Sequence, residues 1–214
     1  MATGLATGMA TGIYTGIDTA MNGKATELLA TEKSVFVVDL DDTLVYFDEM
    51  EKYNRLKLYY LRPHAKEFVE ELRQLTPGNK MVLWSAGIAP YVYDVLFKTP
   101  IGPCFDFVLT RDDCETSKRI FKVSKSVNYV KNYMIKSSSN NKEFNPKNYK
   151  WVLIDDQAVQ NGGKGYDELI TVPKYRPENK NDKALVKILL QRNLPQIELY
   201  YPHFIPPGYF SSSF

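Results

Sequence analysis

The sequence predicts an α/β fold in which a parallel sheet carries helices on both faces. From about residue 34 onwards, short β-branched and apolar runs alternate with longer amphipathic segments. This alternation is typical of parallel strands joined by crossover helices, because strands that are covered on both faces need apolar residues throughout. The chain of 214 residues is long enough for one such domain with a substantial core and too short for two independent ones.

Each element can be placed from its pattern and its flanking residues. The first helix follows Pro63, which suits a first helical turn, and ends at Pro77 and Gly78. Strands are predicted at SVFVVDL (34–40), KMVLW (80–84), FDFVLT (105–110), KWVLI (150–154) and ELITV (168–172). Further helices are predicted at APYVYDVLF (89–97), SVNYVKNYMI (126–135) and DKALVKILLQ (182–191).

Two terminal segments differ in composition from the predicted domain, which spans residues 34–194. Residues 1–33 begin with a four-residue ATG repeat, and this low complexity predicts a flexible leader. Residues 195–214 form a tail rich in proline and aromatic residues. For this tail, packing over the edge of the domain is favoured over docking to a partner.

Composition favours an intracellular protein, in the nucleus or the cytoplasm. The two cysteines do not make a disulfide framework, and no apolar stretch is long enough to span a membrane. The net charge of +2 hides a basic stretch at residues 118–150, which holds nine Lys or Arg and one acid. This stretch is either a solvated face or a surface that attracts an anionic substrate.

Carboxylates follow two of the predicted strands. Asp39 and Asp41 lie where the first strand ends, and Asp155 and Asp156 end the strand in WVLIDDQ. Because ligands bind beyond the carboxyl ends of parallel strands, these acids are expected to converge in one crevice. Crowded carboxylates need a cation, and their oxygen atoms suit Mg²⁺. Ser85 ends a third strand and could donate a hydrogen bond to a phosphate oxygen.

These motifs resemble those of the haloacid dehalogenase (HAD) superfamily of phosphotransferases. DLDDTLV resembles motif I, Ser85 lies at the motif II position, and IDD lies at motif IV. More narrowly, LRPHAKEFVEEL, VLWSAG, TRDDC and NYVKN look like the FCP/SCP-like phosphatases, which are also described as NLI-interacting factor-like. The resemblance runs from about Ser34 to Leu194 and implies a HAD-like Rossmannoid sheet with a minimal cap.

The resemblance also implies roles for the acidic residues. Asp39 would be the nucleophile that forms an aspartyl-phosphate, and Asp41 would be the general acid and base. Mg²⁺ would be held by the Asp39 carboxylate, the Asp41 backbone carbonyl and Asp156. Ser85 of motif II would contact the phosphoryl group, and Thr43 of motif I would support the site.

A motif III lysine is expected to hold the phosphoryl oxygens, with Asp155 as its orienting partner. Lys131 in NYVKN lies in a matching local sequence and is the expected residue. The chain between Arg111 and Lys131 is longer than the usual link in the family, so Lys118 and Lys122 remain alternatives.

The expected function is Mg²⁺-dependent hydrolysis of phosphoserine or phosphothreonine in a protein or peptide, with RNA polymerase II carboxy-terminal repeats as one substrate that the resemblance suggests. One alternative is a phosphatase of nucleic-acid ends or small metabolites, although a nucleic-acid partner is not favoured. Another is a catalytically silent binding module, but such a module usually lacks one of the motif I aspartates. The short connection between Val45 and Arg62 replaces a longer substrate-binding insert of SCP-like members, so the substrate stays open, as does the oligomeric state.

Overall fold

The computed structural model describes three ranges, residues 32–48, 59–138 and 144–200. Side chains are described as far as Arg192 in the last helix. Most of the predicted leader, residues 1–31, and the tail from residue 201 lie outside the described residues. Within the three ranges, no helix is both long enough and apolar enough to cross a membrane.

The described residues form alternating strands and helices. The strands are β1 Ser34–Val38, β2 Val45–Phe47, β3 Tyr59–Leu61, β4 Lys80–Trp84, β5 Phe107–Leu109, β6 Lys150–Asp155 and β7 Glu168–Thr171. The helices are α1 Ala65–Gln74, α2 Ala89–Lys98, α3 Arg111–Phe121, α4 Val127–Ser137, α5 Ala158–Gly162 and α6 Ala184–Tyr200. Short 3₁₀ turns occur at Gly102–Cys104 and Pro146–Asn148.

Five parallel strands form the main sheet in the order β5-β4-β1-β6-β7. The central strand β1 pairs with β4 and β6, so that Val37 lies opposite Val82 and Leu153. A separate antiparallel hairpin of β2 and β3 follows the carboxyl end of β1. The carboxyl ends of β1 and β6 therefore lie side by side at the end of the sheet where all five strands terminate, which we call its carboxyl edge.

The side chains of β1 alternate between two buried clusters, as expected for a strand covered on both faces. Phe36 and Val38 face a cluster formed with helices α1, α2 and α6. Val35 and Val37 face a second cluster formed with α3, α4 and α5. The predicted parallel sheet with helices on both faces is thus confirmed.

The predicted elements are confirmed, with shifted ends. The helix predicted at residues 182–191 begins at Ala184 and continues to Tyr200. The hairpin β2–β3 and the helices α3 and α5 were not predicted. Helix α3 lacks an obvious apolar stripe because it turns the small residues Cys114 and Ser117 inward. Its sequence signal is the capping box, in which the backbone N–H of Thr110 donates to the Asp113 carboxylate at 2.7 Å.

Candidate active site

A tight loop after β1 brings Asp39 and Thr43 together. The backbone N–H of Asp39 donates to the Ile154 carbonyl at 2.9 Å, so pairing with β6 continues one residue beyond β1. The chain then reverses through Leu40, whose carbonyl accepts from the N–H of Leu44 at 2.9 Å. This reversal returns the Thr43 hydroxyl to Asp39, where Oγ1 donates to Oδ2 at 2.9 Å.

Three carboxylates converge at the ends of β1 and β6. Asp39, Asp155 and Asp156 each offer an oxygen, and these oxygens lie within 4.8 Å of one another. Thr43 connects the two strand ends, because its Oγ1 also accepts the Asp156 backbone N–H at 3.1 Å. The convergence expected from the sequence is therefore present for Asp39, Asp155 and Asp156.

A buried lysine, Lys125, lies between two of these carboxylates. Its Nζ donates to Asp39 Oδ1 at 2.5 Å and to Asp155 Oδ2 at 2.7 Å. The Lys125 side chain is only 2% exposed. Asp155 also accepts the Gln157 backbone N–H at 2.6 Å and the Asn161 amide at 3.0 Å. Asp155 thus contacts Lys125 and two further donors, whereas the sequence led us to expect it beside Lys131.

The lysine beside Asp39 is therefore Lys125 and not Lys131, which corrects the assignment made from the local sequence. Lys131 Nζ lies over the Trp151 ring, 5.2 Å from its centroid. Trp151 is near the start of β6 and Asp155 is at its end, about 13 Å further along the strand. The alternatives Lys118 and Lys122 have exposed side chains on and just after α3.

Helix geometry explains this correction. Helix α4 leads back into the parallel strand β6, so α4 must begin at the carboxyl edge of the sheet and run away from it. Lys125 directly precedes Ser126, which is the N-cap of α4. Lys131 lies four residues beyond the first residue of α4, about 6 Å further along the helix axis. The signal that could have identified Lys125 was its position at the start of this helix.

The charges of the cluster act on each other strongly. Burial raises the pKa of Asp39 to about 7, the charges of Asp155 and Asp41 add to this rise, and Lys125 opposes it. Burial alone would lower the pKa of Lys125, but the two carboxylates outweigh it and raise that pKa well above its usual value. Lys125 therefore favours the ionised form of Asp39, and a second cation beside the cluster would favour it further.

Asp41, in the same loop after β1, has different partners from Asp39. Its carboxylate accepts from Ser85 Oγ at 2.7 Å and from the Tyr91 hydroxyl. Ser85 is fully buried and in turn accepts the Gly87 backbone N–H at 2.8 Å. The structure thus brings Ser85, at the end of β4, into contact with Asp41. The sequence did not identify Tyr91, which lies in the first turn of α2 at the same edge of the sheet.

Aromatic side chains surround Tyr91. The rings of Phe47 and Tyr59 meet the Tyr91 ring edge to face, with centroids 5.4 and 5.9 Å away. Phe47 and Tyr59 belong to the β2–β3 hairpin, and their rings are 5.7 Å apart. The hairpin therefore supplies an aromatic wall beside Asp41, and it lies within the short connection between Val45 and Arg62.

Two half-exposed cations, Lys174 and Arg176, lie beside Asp42 at the solvent-exposed rim of the carboxylate cluster. Lys174 Nζ is 3.3 Å from carboxylate oxygens of both Asp42 and Asp156. Arg176 pairs with Asp42 at 2.7 Å. The Lys174 side chain is 50% exposed, whereas that of Asp156 is only 5% exposed. Asp42 has a left-handed backbone with φ 61°, which lets its side chain face this rim rather than the cluster.

The donor set fits a hard divalent cation such as Mg²⁺. Carboxylate oxygens are the ligands that this ion prefers, and the cluster supplies them within a small space. All three carboxylates have partners, but Asp155 accepts from three groups, those of Lys125, Gln157 and Asn161, which favours Asp39 and Asp156 as the ligands. The Asp41 side chain is bound to Ser85, which leaves its backbone carbonyl as the group expected to bind the ion.

Comparisons with known proteins give a family match and several solved structures of low sequence identity. A family model described as the NLI interacting factor-like phosphatase matches residues 34–195. No curated protein matches the sequence. A structure of Fcp1, described as an essential RNA polymerase II CTD phosphatase, is 16% identical with a TM-score of 0.43, covering 86% of this chain and 54% of that one. Fission yeast Fcp1 bound to beryllium fluoride is 17% identical with a TM-score of 0.43, covering 86% and 56%.

A bacterial phosphatase is also among the similar structures. It is the 3-deoxy-D-manno-octulosonate 8-phosphate phosphatase of Moraxella catarrhalis, solved with magnesium, phosphate and KDO. It is 12% identical with a TM-score of 0.44, covering 86% of this chain and 99% of that one.

This chain spans only about half the length of the two Fcp1 chains described above. The family model covers most of the sequence, and the chain therefore belongs to the NLI interacting factor-like phosphatases of the HAD superfamily.

Proposed function

We propose that this protein is a Mg²⁺-dependent phosphatase that removes phosphate from phosphoserine or phosphothreonine in proteins through an aspartyl-phosphate on Asp39. The observation that supports the proposal most strongly is the pairing of Asp39 with the buried ammonium of Lys125 at 2.5 Å. A carboxylate held between this cation and the Thr43 hydroxyl has fixed oxygens, as a nucleophile requires.

In the first step, a carboxylate oxygen of Asp39 forms a bond to phosphorus as the bond from phosphorus to the seryl oxygen breaks. Asp41 donates its proton to the departing seryl oxygen. In the second step, a water molecule gives a proton to Asp41 and attacks phosphorus, which breaks the bond to Asp39. The products are the free hydroxyl and inorganic phosphate, and both carboxyl groups return to their initial states.

The other residues stabilise the charge of the transferring group. Lys125 donates hydrogen bonds and positive charge on one side, while the Ser85 hydroxyl and the Gly87 N–H lie near Asp41 on the other. Bound Mg²⁺ would supply the additional positive charge that favours ionised Asp39 and offsets the repulsion between carboxylate and phosphate.

The aromatic wall supports a peptide substrate. Phe47 and Tyr59 project from the hairpin beside the proposed general acid, where residues flanking a phosphoserine would lie. Aromatic rings beside a polar site offer apolar contacts to peptide side chains. The basic stretch at residues 118–150 gives little support to a nucleic-acid substrate, because among its basic residues at 118–138 and 144–150 only Lys125 contacts the carboxylate cluster.

A substrate panel tests the proposed function. Phosphoserine and phosphothreonine peptides, a 3′-phosphorylated oligonucleotide, a sugar phosphate and an aryl phosphate are assayed with Mg²⁺. We expect the phosphopeptides to have the highest kcat/KM. A preference for the oligonucleotide or the sugar phosphate would overturn the protein-phosphatase proposal, and no turnover of any substrate would overturn the enzymatic one.

Aspartate variants test the covalent step. Asp39→Asn should abolish turnover of the aryl phosphate, because the amide cannot attack phosphorus, and Asp41→Asn should prevent proton transfer to the leaving group. Asp42→Asn is the matched control and is assayed at saturating Mg²⁺, because Asp42 belongs to the same loop but pairs at the rim with Arg176 and with Lys174, which also contacts Asp156. The covalent mechanism is refuted if Asp39→Asn retains the activity of Asp42→Asn.

A further inference from the structure

The end of α5 and the residues that follow it pack against the loop that carries Lys125. We name residues 161–166, with the sequence NGGKGY, the clamp loop, and residues 123–126 the lysine loop. Neither the acidic cluster nor the expected motifs include the clamp loop. Several of its hydrogen bonds lead to Lys125 or to Asp155, the carboxylate partner of Lys125.

Asn161 connects three parts of the lysine site. Its backbone carbonyl accepts the Lys125 N–H at 2.9 Å, and its side-chain oxygen accepts from Ser124 Oγ at 3.0 Å. Its amide nitrogen lies 3.0 and 3.1 Å from the two carboxylate oxygens of Asp155. One side chain thus binds both the lysine loop and the carboxylate that receives the lysine ammonium.

Tyr166 fixes the other side of the Lys125 backbone. Its hydroxyl donates to the Lys125 carbonyl at 3.0 Å. With Asn161, this contact satisfies both the N–H and the carbonyl of Lys125 from the clamp loop. The backbone from which the long lysine side chain extends is therefore held at both of its polar groups.

Glycine permits the close approach of the two loops. Gly163 has φ +63°, and a Cβ there would lie 2.9 Å from Cγ1 of Val123 in the lysine loop. A side chain at this position would both strain the backbone and push the loops apart. The spacing of the loops therefore depends on the glycine.

We propose that the clamp loop positions Lys125, with Asn161 and Tyr166 as positioning residues for the reaction. The inference rests on the proposed phosphatase function, in which Lys125 stabilises the phosphoryl group. A lysine side chain has four flexible bonds, so its ammonium reaches a fixed place only when its backbone and its carboxylate partners are fixed.

Two variants and a matched control test this inference. Asn161→Ala removes the side-chain bonds to Ser124 and Asp155, and Tyr166→Phe removes a single hydroxyl. Asn79→Ala is the control, because Asn79 is a buried asparagine near the start of β4 that accepts from the Ser34 N–H at 2.8 Å and donates to the Leu72 carbonyl at 2.9 Å. All three variants lose internal hydrogen bonds, but the control loses them far from Lys125.

Two readouts are compared for the folded variants. We expect kcat for the aryl phosphate to fall about 10- to 100-fold in Asn161→Ala, as for residues that orient a catalytic group, and less in Tyr166→Phe. The second readout is the rate at which acetyl N-hydroxysuccinimide ester acylates Lys125, followed by peptide mass spectrometry with Lys131 as the internal reference. This rate should rise severalfold in both variants and stay unchanged in Asn79→Ala.

The outcomes separate the inference from the proposed function. If the wild type hydrolyses no substrate, the proposed function fails, and the acylation rates still decide whether the clamp loop holds Lys125. The inference is overturned if acylation and kcat match those of the Asn79 control, or if acylation rises while kcat stays the same. Should Asn161→Ala not fold, Tyr166→Phe decides by the same two readouts.

Discussion

Replacing Lys125 by methionine should lower kcat about 10²–10³-fold, whereas the same replacement of Lys131 should leave kcat intact. The buried Lys125 ammonium contacts Asp39 at 2.5 Å and Asp155 at 2.7 Å. The Lys131 ammonium contacts the ring of Trp151 near the other edge of the sheet. Both variants remove an ammonium group, but we expect only the ammonium of Lys125 to be needed for turnover.

The expected losses differ in size. Removing one partner of a buried ion pair costs about 3–5 kcal/mol of folding stability, because a buried charge is left without compensation. Removing a cation from an aromatic ring at a partly exposed site costs about 0.5–1 kcal/mol. For the reaction, loss of a group that stabilises the transition-state charge lowers kcat by about 10²–10³-fold. Without Lys125 the pKa of Asp39 also rises further, because this lysine lowers it.

The assay combines steady-state hydrolysis of an aryl phosphate with urea unfolding followed by circular dichroism. Rates are compared only at urea concentrations where each variant is folded, so that unfolding is not mistaken for loss of catalysis. Lys125→Arg serves as a second variant that keeps the charge but not the compact ammonium. The assignment of Lys125 is wrong if Lys125→Met retains wild-type kcat, and that of Lys131 is restored if Lys131→Met loses it.

Three further predictions concern the metal, the fold and a thiol. Lys174→Ala should lower the Mg²⁺ concentration for half-maximal activity, because an ammonium 3.3 Å from a candidate ligand opposes cation binding; an unchanged or higher concentration would contradict this. Arg62→Met should cost about 3–5 kcal/mol of unfolding free energy, because it leaves Asp182 as an unpaired buried charge. The half-exposed Arg73 makes a surface pair, so Arg73→Met should cost less than about 1 kcal/mol in the same urea titration. Burial raises the pKa of Cys114 to about 11, so the rate of its alkylation by iodoacetamide should increase up to that pH. The stability that its neutral thiol contributes should be lost as the pH rises from about 9 to about 11. Half-maximal alkylation near pH 9 would contradict this shift.

The acidic part of the site could be predicted from the sequence because strand ends are fixed by the sheet. Asp39 follows β1 and Asp155 ends β6, and neighbouring parallel strands bring their carboxyl ends to the same edge. A short apolar run followed by acids therefore locates a side chain in three dimensions without knowledge of the loops. The same reasoning located Ser85 at the end of β4, where it contacts Asp41.

The partners of these acids could not be predicted in the same way. Tyr91 reaches Asp41 from the first turn of a helix, and many helices begin with an aromatic residue that serves only packing. The rim cation Lys174 depends on the path of the chain after β7, for which the sequence offers no periodic pattern. Residues that act from loops and helix starts thus need tertiary structure, because no strand register fixes their position.

The lysine shows why a local sequence match is a weaker guide than topology. NYVKN matches the family motif, but those residues lie within α4, so Lys131 is carried along the helix away from the catalytic edge. The interval from Arg111 to Lys131 is longer than the usual link in the family because it contains the whole of helix α3. Since a crossover helix must start at the carboxyl edge in order to enter the next parallel strand, the lysine just before that helix was the better choice. That position is held by Lys125, whose ammonium meets both Asp39 and Asp155.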